Sequence, residues 1–179
     1  MENMNLLKPQ SIFIVMVGVA LFFSSCKKEE GCTDLLALNY DLNAVKDNGS
    51  CKYLSENFIG VYSINDSITG GMIPGEWEGQ RNYTIEIVQN EDNPSQIIIR
   101  NWAKVHTYTD NPTADYTQVS AQVDGDSLFV EFQEIINTDG YEAHNSSGKI
   151  IGDSIFYDFE YENFFGEVFW GTANGIKIE

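Results

Sequence analysis

The chain has 179 residues, of which 42% are hydrophobic and 13% aromatic, enough for one globular domain with appendages. This composition excludes collagen, a coiled coil and a disordered acidic tail, because all three contain few aromatic residues. The 27 acidic and 10 basic side chains leave a formal charge of −17. Since phosphate backbones are bound through Lys and Arg, that charge argues against a nucleic-acid partner.

The first 25 residues have the layout of an export signal. An apolar run of about 13 residues, 11–23, follows Lys8 and ends before two serines. It is shorter than the about 20 residues that a helix needs to cross a bilayer, so it predicts a cleaved signal peptide. Residues 23–26, Phe-Ser-Ser-Cys, resemble the lipobox of bacterial lipoproteins, in which the cysteine becomes the first mature residue and carries lipid. The resemblance implies lipidation of Cys26; a plain cleaved signal followed by an unmodified cysteine is the alternative.

The four residues after the lipobox cysteine bear on location. Residues 27–30 read Lys-Lys-Glu-Glu. A lysine followed by acidic residues resembles the signal that exports lipoproteins to the cell surface in one Gram-negative lineage. The resemblance implies an outer-membrane protein that faces outward. A solvated tether on the periplasmic face is the alternative.

The three cysteines have two predicted roles, one as the lipid carrier and two as a disulfide pair. Lipidation of Cys26 leaves Cys32 and Cys51, and an even number in an exported chain predicts a disulfide. Closing a loop of about 20 residues adds about 3 kcal/mol by the chain-entropy estimate, so the bridge is expected to hold a segment too small for its own core. The enclosed segment resembles a short module of surface proteins in marine-type bacteria, through Cys32-Thr33-Asp34, Asn39-Tyr40, Asn43-Ala44 and Gly49-Ser50-Cys51.

The same module offers oxygen ligands for a metal ion. Hard oxygen donors are the ligands that Ca²⁺ prefers, and four of them lie within one short loop: Asp34, Asp41, Asn43 and Asp47. They form a candidate calcium site, and no other cofactor is predicted. The alternative, which we favour, is that Asp and Asn are turn formers whose side chains bind nearby backbone groups.

From residue 54 onward, apolar residues alternate with polar ones, which is the pattern of half-buried β-strands. In 154–162, the apolar residues Ile155, Tyr157, Phe159 and Tyr161 lie on one face, and the opposite face carries Asp158, Glu160 and Glu162. Further strands are expected at 58–64, 83–87, 96–102, 118–123, 128–132, 144–151 and 167–171. About eight short strands with hairpin connections predict an all-β fold, an antiparallel meander that closes into a barrel. A β-sandwich is the alternative.

Two hairpins share a motif, because 123–132 matches 150–159 with Gly-Asp-Ser at each turn. Together with the Gly-x-aromatic form of 58–62, they resemble the lipocalin-like β domains of bacterial lipoproteins. The resemblance implies a lipocalin-like barrel and allows a cup that carries a small apolar ligand. Large side chains are expected to point inward and fill that cup: Phe132, Tyr157, Phe159 and Trp170.

Two other features suggest chemistry. In the loop between 70 and 80, Met72 and Trp77 are candidates to touch an apolar ligand at the barrel mouth, although an ordinary exposed loop is favoured. Residues 125–128, Gly-Asp-Ser-Leu, spell the nucleophile block of one hydrolase class and would make Ser127 catalytic. Because no Asp-x-x-His pair follows and the block recurs in a hairpin turn, hydrolysis is the least favoured function.

The sequence therefore predicts four segments: a signal peptide (1–25), a tether (26–31), a disulfide-closed module (32–53) and a lipocalin-like β domain (54–179). The predicted function is a lipid-anchored outer-membrane protein that acts as a non-enzymatic binding or structural module. Its predicted partners are the membrane, through the anchor, and a small-molecule, glycan or protein ligand that the sequence does not identify.

Overall fold

A computed structural model describes residues 29–70, 79–105, 117–138 and 140–179. The predicted signal peptide, Cys26, Met72 and Trp77 lie outside these ranges. The described chain divides into two compact units. The smaller contains 29–35 and Asn39–Cys51, and the larger contains Leu36–Leu38 and Lys52–Glu179.

The small unit is closed by a disulfide between Cys32 and Cys51, which confirms the predicted pairing. Their Cα atoms lie 4.8 Å apart. Strand β1 (Glu30–Gly31) pairs in parallel with β2 (Lys46–Asp47). Most of its apolar side chains are exposed, with Leu42 at 81%. The covalent bridge and the backbone hydrogen bonds, rather than an apolar core, therefore stabilise this unit.

The larger unit is a closed antiparallel β-barrel, which confirms the predicted fold and excludes the sandwich. Its wall contains eight strands in chain order: β3 (Gly60–Gly70), β4 (Gly79–Gln89), β5 (Gln96–Arg100), β6 (Gln118–Asp124), β7 (Ser127–Val130), β10 (Ser146–Ile151), β11 (Ser154–Glu162) and β12 (Val168–Lys177). β12 pairs back onto β3, so the meander closes on itself. Two short strands, β8 (Gln133–Glu134) and β9 (Glu142–Ala143), extend the sheet beside β11.

The two related hairpins have the same turn. Gly125-Asp126 joins β6 to β7, and Gly152-Asp153 joins β10 to β11, each as a two-residue connection. Both glycines have a φ of 58°, a left-handed conformation that a residue without a Cβ adopts at little cost. Because β7 pairs with β10, the turns are neighbours, and the Ile150 N–H donates to the Asp126 carbonyl at 2.8 Å.

Buried residues also lie at the end of the barrel where β3 begins. A 3₁₀ turn over Leu54–Asn57 precedes that strand, and the buried Ser55 Oγ donates to the Pro94 carbonyl at 2.6 Å. Phe58 is fully buried, and the Tyr62 hydroxyl donates to its carbonyl at 2.9 Å. No helix among the described residues is long and apolar enough to cross a membrane.

Candidate functional site

Two of the four oxygen ligands proposed for calcium, Asp41 and Asp47, form turns in the small unit. Asp41 Oδ1 accepts the Asn43 N–H at 2.9 Å, and Asp47 Oδ1 accepts the Gly49 N–H at 2.9 Å. Such bonds stabilise Asx turns. In the described part of the chain, no three His, Cys, Asp or Glu side chains, Asp34 included, are grouped to hold a metal ion. These contacts assign a turn-forming role, and calcium binding stays a prediction.

Ser127, the candidate hydrolase nucleophile, begins β7 beside a hairpin turn and borders the outer surface of the barrel. Its hydroxyl forms no hydrogen bond with the residues that the structure describes. His144 Nδ1 instead lies 2.6 Å from Glu160 Oε1. A catalytic serine needs a base within hydrogen-bond distance. None of the described side chains supplies that base to Ser127.

A buried polar cluster lies inside the barrel. Asp66 on β3 pairs in register with Arg81 on β4, so their side chains share the inward face. Arg81 donates to both carboxylate oxygens of Asp66, through Nε at 2.9 Å and Nη2 at 2.6 Å. The Tyr83 hydroxyl donates to Asp66 Oδ2 at 2.7 Å. The Asp66 side chain is fully buried, and these three donors give its charge the partners that burial requires.

Burial also changes the acidity of the groups in this cluster. The Tyr157 hydroxyl lies 3.2 Å from that of Tyr83, and burial raises the pKa of both phenols, an effect to which the charge of Asp66 adds. Burial raises the pKa of Tyr161 to about 12. Burial lowers the pKa of Arg81, but the hydrogen bond and the charge of Asp66 outweigh it, so this pKa is raised. The phenols and the guanidinium therefore stay protonated near neutral pH. General acid–base catalysis needs a group that gains and loses a proton near that pH.

The 3₁₀ turn Trp102–Lys104 completes the cluster, because the Ala103 carbonyl accepts a further bond from Arg81 Nη2 at 2.8 Å. Trp102 is fully buried and packs edge-on against Phe159, with ring centroids 6.3 Å apart. Three residues here have a positive φ, which costs free energy outside glycine: Asn101 (59°), Ala103 (52°) and Lys104 (45°). The same turn buries Trp102 and directs the Ala103 carbonyl to Arg81.

Large buried side chains occupy the described interior of the barrel. Tyr157 and Phe159 point inward and are buried, as predicted. The other two predicted plugs point outward, so that expectation is wrong: Trp170 is 46% exposed and Phe132 is 59% exposed. Small inward residues on β12 make room for the buried rings, since a Cβ added at Gly171 would lie 2.6 Å from Phe159 Cζ.

The outer wall of the barrel carries an open groove, which we call the outer groove. It crosses β7, β10, β11 and β12 and has a volume of about 530 Å³, within the roughly 300–1,000 Å³ typical of ligand sites. Two half-exposed rings line it, Phe129 and Phe156, at 44% and 41% exposure. The remaining exposed lining consists of polar side chains: Ser127, Ser147, Lys149, Asp158, Thr172 and Asn174.

Two further depressions continue the outer groove. One, of about 260 Å³, shares Asp158 and Thr172 with it and reaches Trp170. The other, of about 460 Å³, shares Phe129 and Ser147 with it and follows the end of β7. The shared residues make the three depressions one extended surface on which the half-exposed aromatic rings and the polar groups lie side by side.

The position of Trp170 depends on a glycine of the neighbouring strand. Gly70 on β3 pairs with Trp170 on β12, next to a shift in strand register. A Cβ added at Gly70 would overlap the indole ring. Because Gly70 has no side chain, the ring lies directly against the wall and forms one side of the depression of about 260 Å³ that adjoins the outer groove.

The polar side chains of the outer groove are available for a ligand. Those of Asp158, Thr172 and Asn174 form no hydrogen bond or ion pair with the described part of the chain. In the interior cluster, by contrast, each oxygen of Asp66 has a donor. The groove, not the interior, therefore presents unused hydrogen-bonding groups to solvent.

Comparisons with protein-family models and with curated proteins find no match for this chain. The arrangement of these side chains is therefore the basis on which a function is proposed.

Neither the interior cluster nor the outer groove follows from the sequence patterns. Asp66 lies on the same face of β3 as Tyr62 and Ile64. A charged residue in this inward series is the one sequence signal that could have indicated the cluster. Arg81 stands at the same parity as Tyr83 and Ile85. The groove had no comparable signal, because its residues come from four strands and meet only through strand pairing.

Proposed function

We propose that this chain is a lipid-anchored protein of the bacterial outer membrane and that its barrel is a non-enzymatic binding module. The observation that carries the binding role is the contrast between the two faces of the wall. The described interior is occupied by buried rings, whereas the outer groove combines exposed rings with unused polar groups. We therefore assign binding to the outer wall rather than to a cup.

The proposed location rests on the chain near its start. Residues 23–26 resemble a lipobox, and residues 27–30 resemble a surface-export signal. The Cys32–Cys51 disulfide agrees with this location, because disulfides form and persist in oxidising compartments outside the cytoplasm. Two or more acyl chains on Cys26 would give stable membrane attachment.

Cell fractionation tests the anchor. The Cys26→Ser variant of the full chain is expected to leave the membrane fraction of a Gram-negative host, since it has no sulfur to carry lipid. Cys51→Ser is the matched control, because it removes a cysteine without altering the lipobox, and it should stay in the membrane fraction. Retention of the Cys26→Ser variant in membranes would contradict the proposal.

Protease treatment of whole cells tests which face the protein occupies. A surface-exposed protein is expected to be digested in intact cells, whereas a periplasmic lipoprotein resists until the outer membrane is opened. Protection in intact cells would remove the surface assignment and leave the lipid anchor unaffected.

A carrier of a small apolar ligand is the second candidate. A closed β-barrel is consistent with a binding cup, and the fully buried Trp102 Nε1 has no hydrogen-bond partner among the described residues. Native mass spectrometry of the purified protein separates the two. A co-purified small molecule that is released on unfolding would favour the carrier, and a bare mass would favour binding at the outer wall.

A further inference from the structure

We infer that the outer groove binds an uncharged oligosaccharide. This inference rests on the binding role proposed above and names the ligand class of the same site. A pyranose ring has an apolar C–H face and a rim of hydroxyls that both donate and accept hydrogen bonds. A site for it needs aromatic faces beside side chains of both hydrogen-bonding kinds.

The lining of the outer groove meets this requirement. Phe129 and Phe156 expose nearly half of their surface and are not used by the barrel core. Around them, Asp158 supplies acceptors, Lys149 supplies donors, and Asn174 supplies both. Hydroxyls of Ser127, Ser147 and Thr172 add groups that donate and accept.

The spacing of the rings suits a chain of sugars rather than one small molecule. Phe129 faces Ser147 and Phe156 faces Lys149, so the two rings stand two strands and two residues apart. Strand spacing and rise per residue place their Cα atoms about 12 Å apart. Trp170 pairs with Glu160, four residues along β11 from Phe156, which is roughly 14 Å away by the same geometry.

Charge decides between classes of polar ligand. The chain carries a formal charge of −17, and within the groove Lys149 is balanced by Asp158. A polyanionic ligand would be repelled by the overall field, and the balanced groove offers it no cationic cluster. A purely apolar ligand would cover Asp158, Thr172 and Asn174 without replacing their hydrogen bonds to water, which costs free energy. A neutral, hydroxyl-rich ligand avoids both penalties.

The test is titration calorimetry of the full-length protein in detergent with neutral hexasaccharides: cellohexaose, xylohexaose, mannohexaose, laminarihexaose and maltohexaose. A hexamer of galacturonate and an unstructured neutral peptide serve as chemically different probes. Binding of at least one neutral hexasaccharide, with no binding of the acidic one or the peptide, is the expected result. Binding of only the acidic probe or only the peptide would overturn the assignment, as would the absence of any neutral binder.

Three variants locate the binding. Phe156→Ala is expected to weaken the neutral hexasaccharide at least tenfold, and Gly70→Ala to weaken it by displacing Trp170. Phe165→Ala is the matched control, since Phe165 is 71% exposed and lies outside the groove, and its affinity should stay within twofold. Circular dichroism confirms that each variant is folded. Equal affinity for Phe156→Ala and Phe165→Ala would overturn the groove as the site.

Failure of this inference can be distinguished from failure of the proposed function. If no hexasaccharide binds but the Cys26→Ser variant is released from membranes, only the assigned ligand class is wrong, and the proposed lipid anchor stands. If the peptide binds and Phe156→Ala abolishes that binding, the outer groove remains the binding site. Its ligand is then a peptide and not an oligosaccharide.

Discussion

Two aspartates of the barrel have the same side chain and opposite surroundings. Asp66 is fully buried and accepts hydrogen bonds from Arg81 and Tyr83. Asp158 lies on the outer wall, and its carboxylate forms no such bond with the described residues. The difference teaches that a buried carboxylate with hydrogen-bond donors stabilises the fold, whereas an exposed carboxylate without protein partners can bind a ligand.

The aromatic residues of β11 show the same division within one strand. Tyr157 and Phe159 point inward and are buried, whereas Phe156 between two inward residues points outward and is 41% exposed. Alternate side chains of a strand face opposite sides of the sheet. One strand therefore supplies both the core and the floor of the outer groove.

The largest effect is expected when the interior ion pair is broken. Asp66→Ala leaves the Arg81 guanidinium without its carboxylate in a largely buried site, so the free energy of unfolding should fall by about 3–5 kcal/mol. Asp158→Ala on the outer wall is the control and should stay within about 0.5 kcal/mol of the wild type. Urea unfolding measures both, and similar losses for the two variants would break the comparison.

Alkaline pH probes the inside of the barrel next. Burial raises the pKa of Tyr62 and of Tyr161 from 10.0 to about 12, with the charge of Asp153 adding to the shift at Tyr62. Between pH 10 and about pH 12, the unfolded chain loses phenol protons that the folded chain keeps. The free energy of unfolding therefore falls as pH rises. The loss reaches about 2 kcal/mol per tyrosine by pH 12.

Urea titrations at a series of pH values measure this effect. Stability should be nearly constant just below pH 10 and fall steadily above it. Tyr62→Phe is expected to reduce the slope, although it costs about 1 kcal/mol at lower pH because the bond to the Phe58 carbonyl is lost. A flat profile up to pH 12 would contradict the burial of these phenols.

A smaller effect is expected from filling space on β12. Gly171→Ala brings a methyl group within 2.6 Å of Phe159 Cζ and against the backbone of Ser67, so overpacking should lower the free energy of unfolding by about 1–3 kcal/mol. Thr172→Ala changes the neighbouring outward residue and serves as the control. If thermal denaturation shows equal losses, then the inner and outer faces of β12 are not as different as described.

The smallest effect on stability is expected at the outer groove. Phe156→Ala should change the free energy of unfolding by less than about 0.5 kcal/mol, because its ring is outside the core. Chemical unfolding measures this change. A loss comparable to that of Gly171→Ala would assign Phe156 to the fold rather than to binding.

Much of the fold could be predicted from local patterns. The alternation in 154–162 placed Tyr157 and Phe159 inside, and the turns at Gly125 and Gly152 were both predicted. Trp170 was misplaced because the inward residues of β12 after Phe169 are Gly171, Ala173 and Gly175, whose small side chains show no apolar alternation. Phe132 was misplaced because β7 ends at Val130, so the alternation does not continue to it.

The candidate site was less predictable than the fold. The sequence singles out Ser127 only through its hydrolase-like block, whereas the structure places it at the edge of the outer groove. Phe129, Asp158 and Asn174 are far apart in sequence and lie on different strands. Their proximity depends on the pairing of β7 with β10, which residues 131–145 separate in the chain, and no local pattern encodes that pairing.

Sequence alone determined the all-β architecture, the meander and the pairing of Cys32 with Cys51, because hydrophobic alternation, turn residues and cysteine number are local properties. Tertiary structure decided that Asp66 meets Arg81 and that the half-exposed aromatic rings share one groove with Asp158. The physical reason is that strand register and barrel closure bring together residues distant in the chain, and the energy that selects them comes from burying whole faces rather than from any short segment.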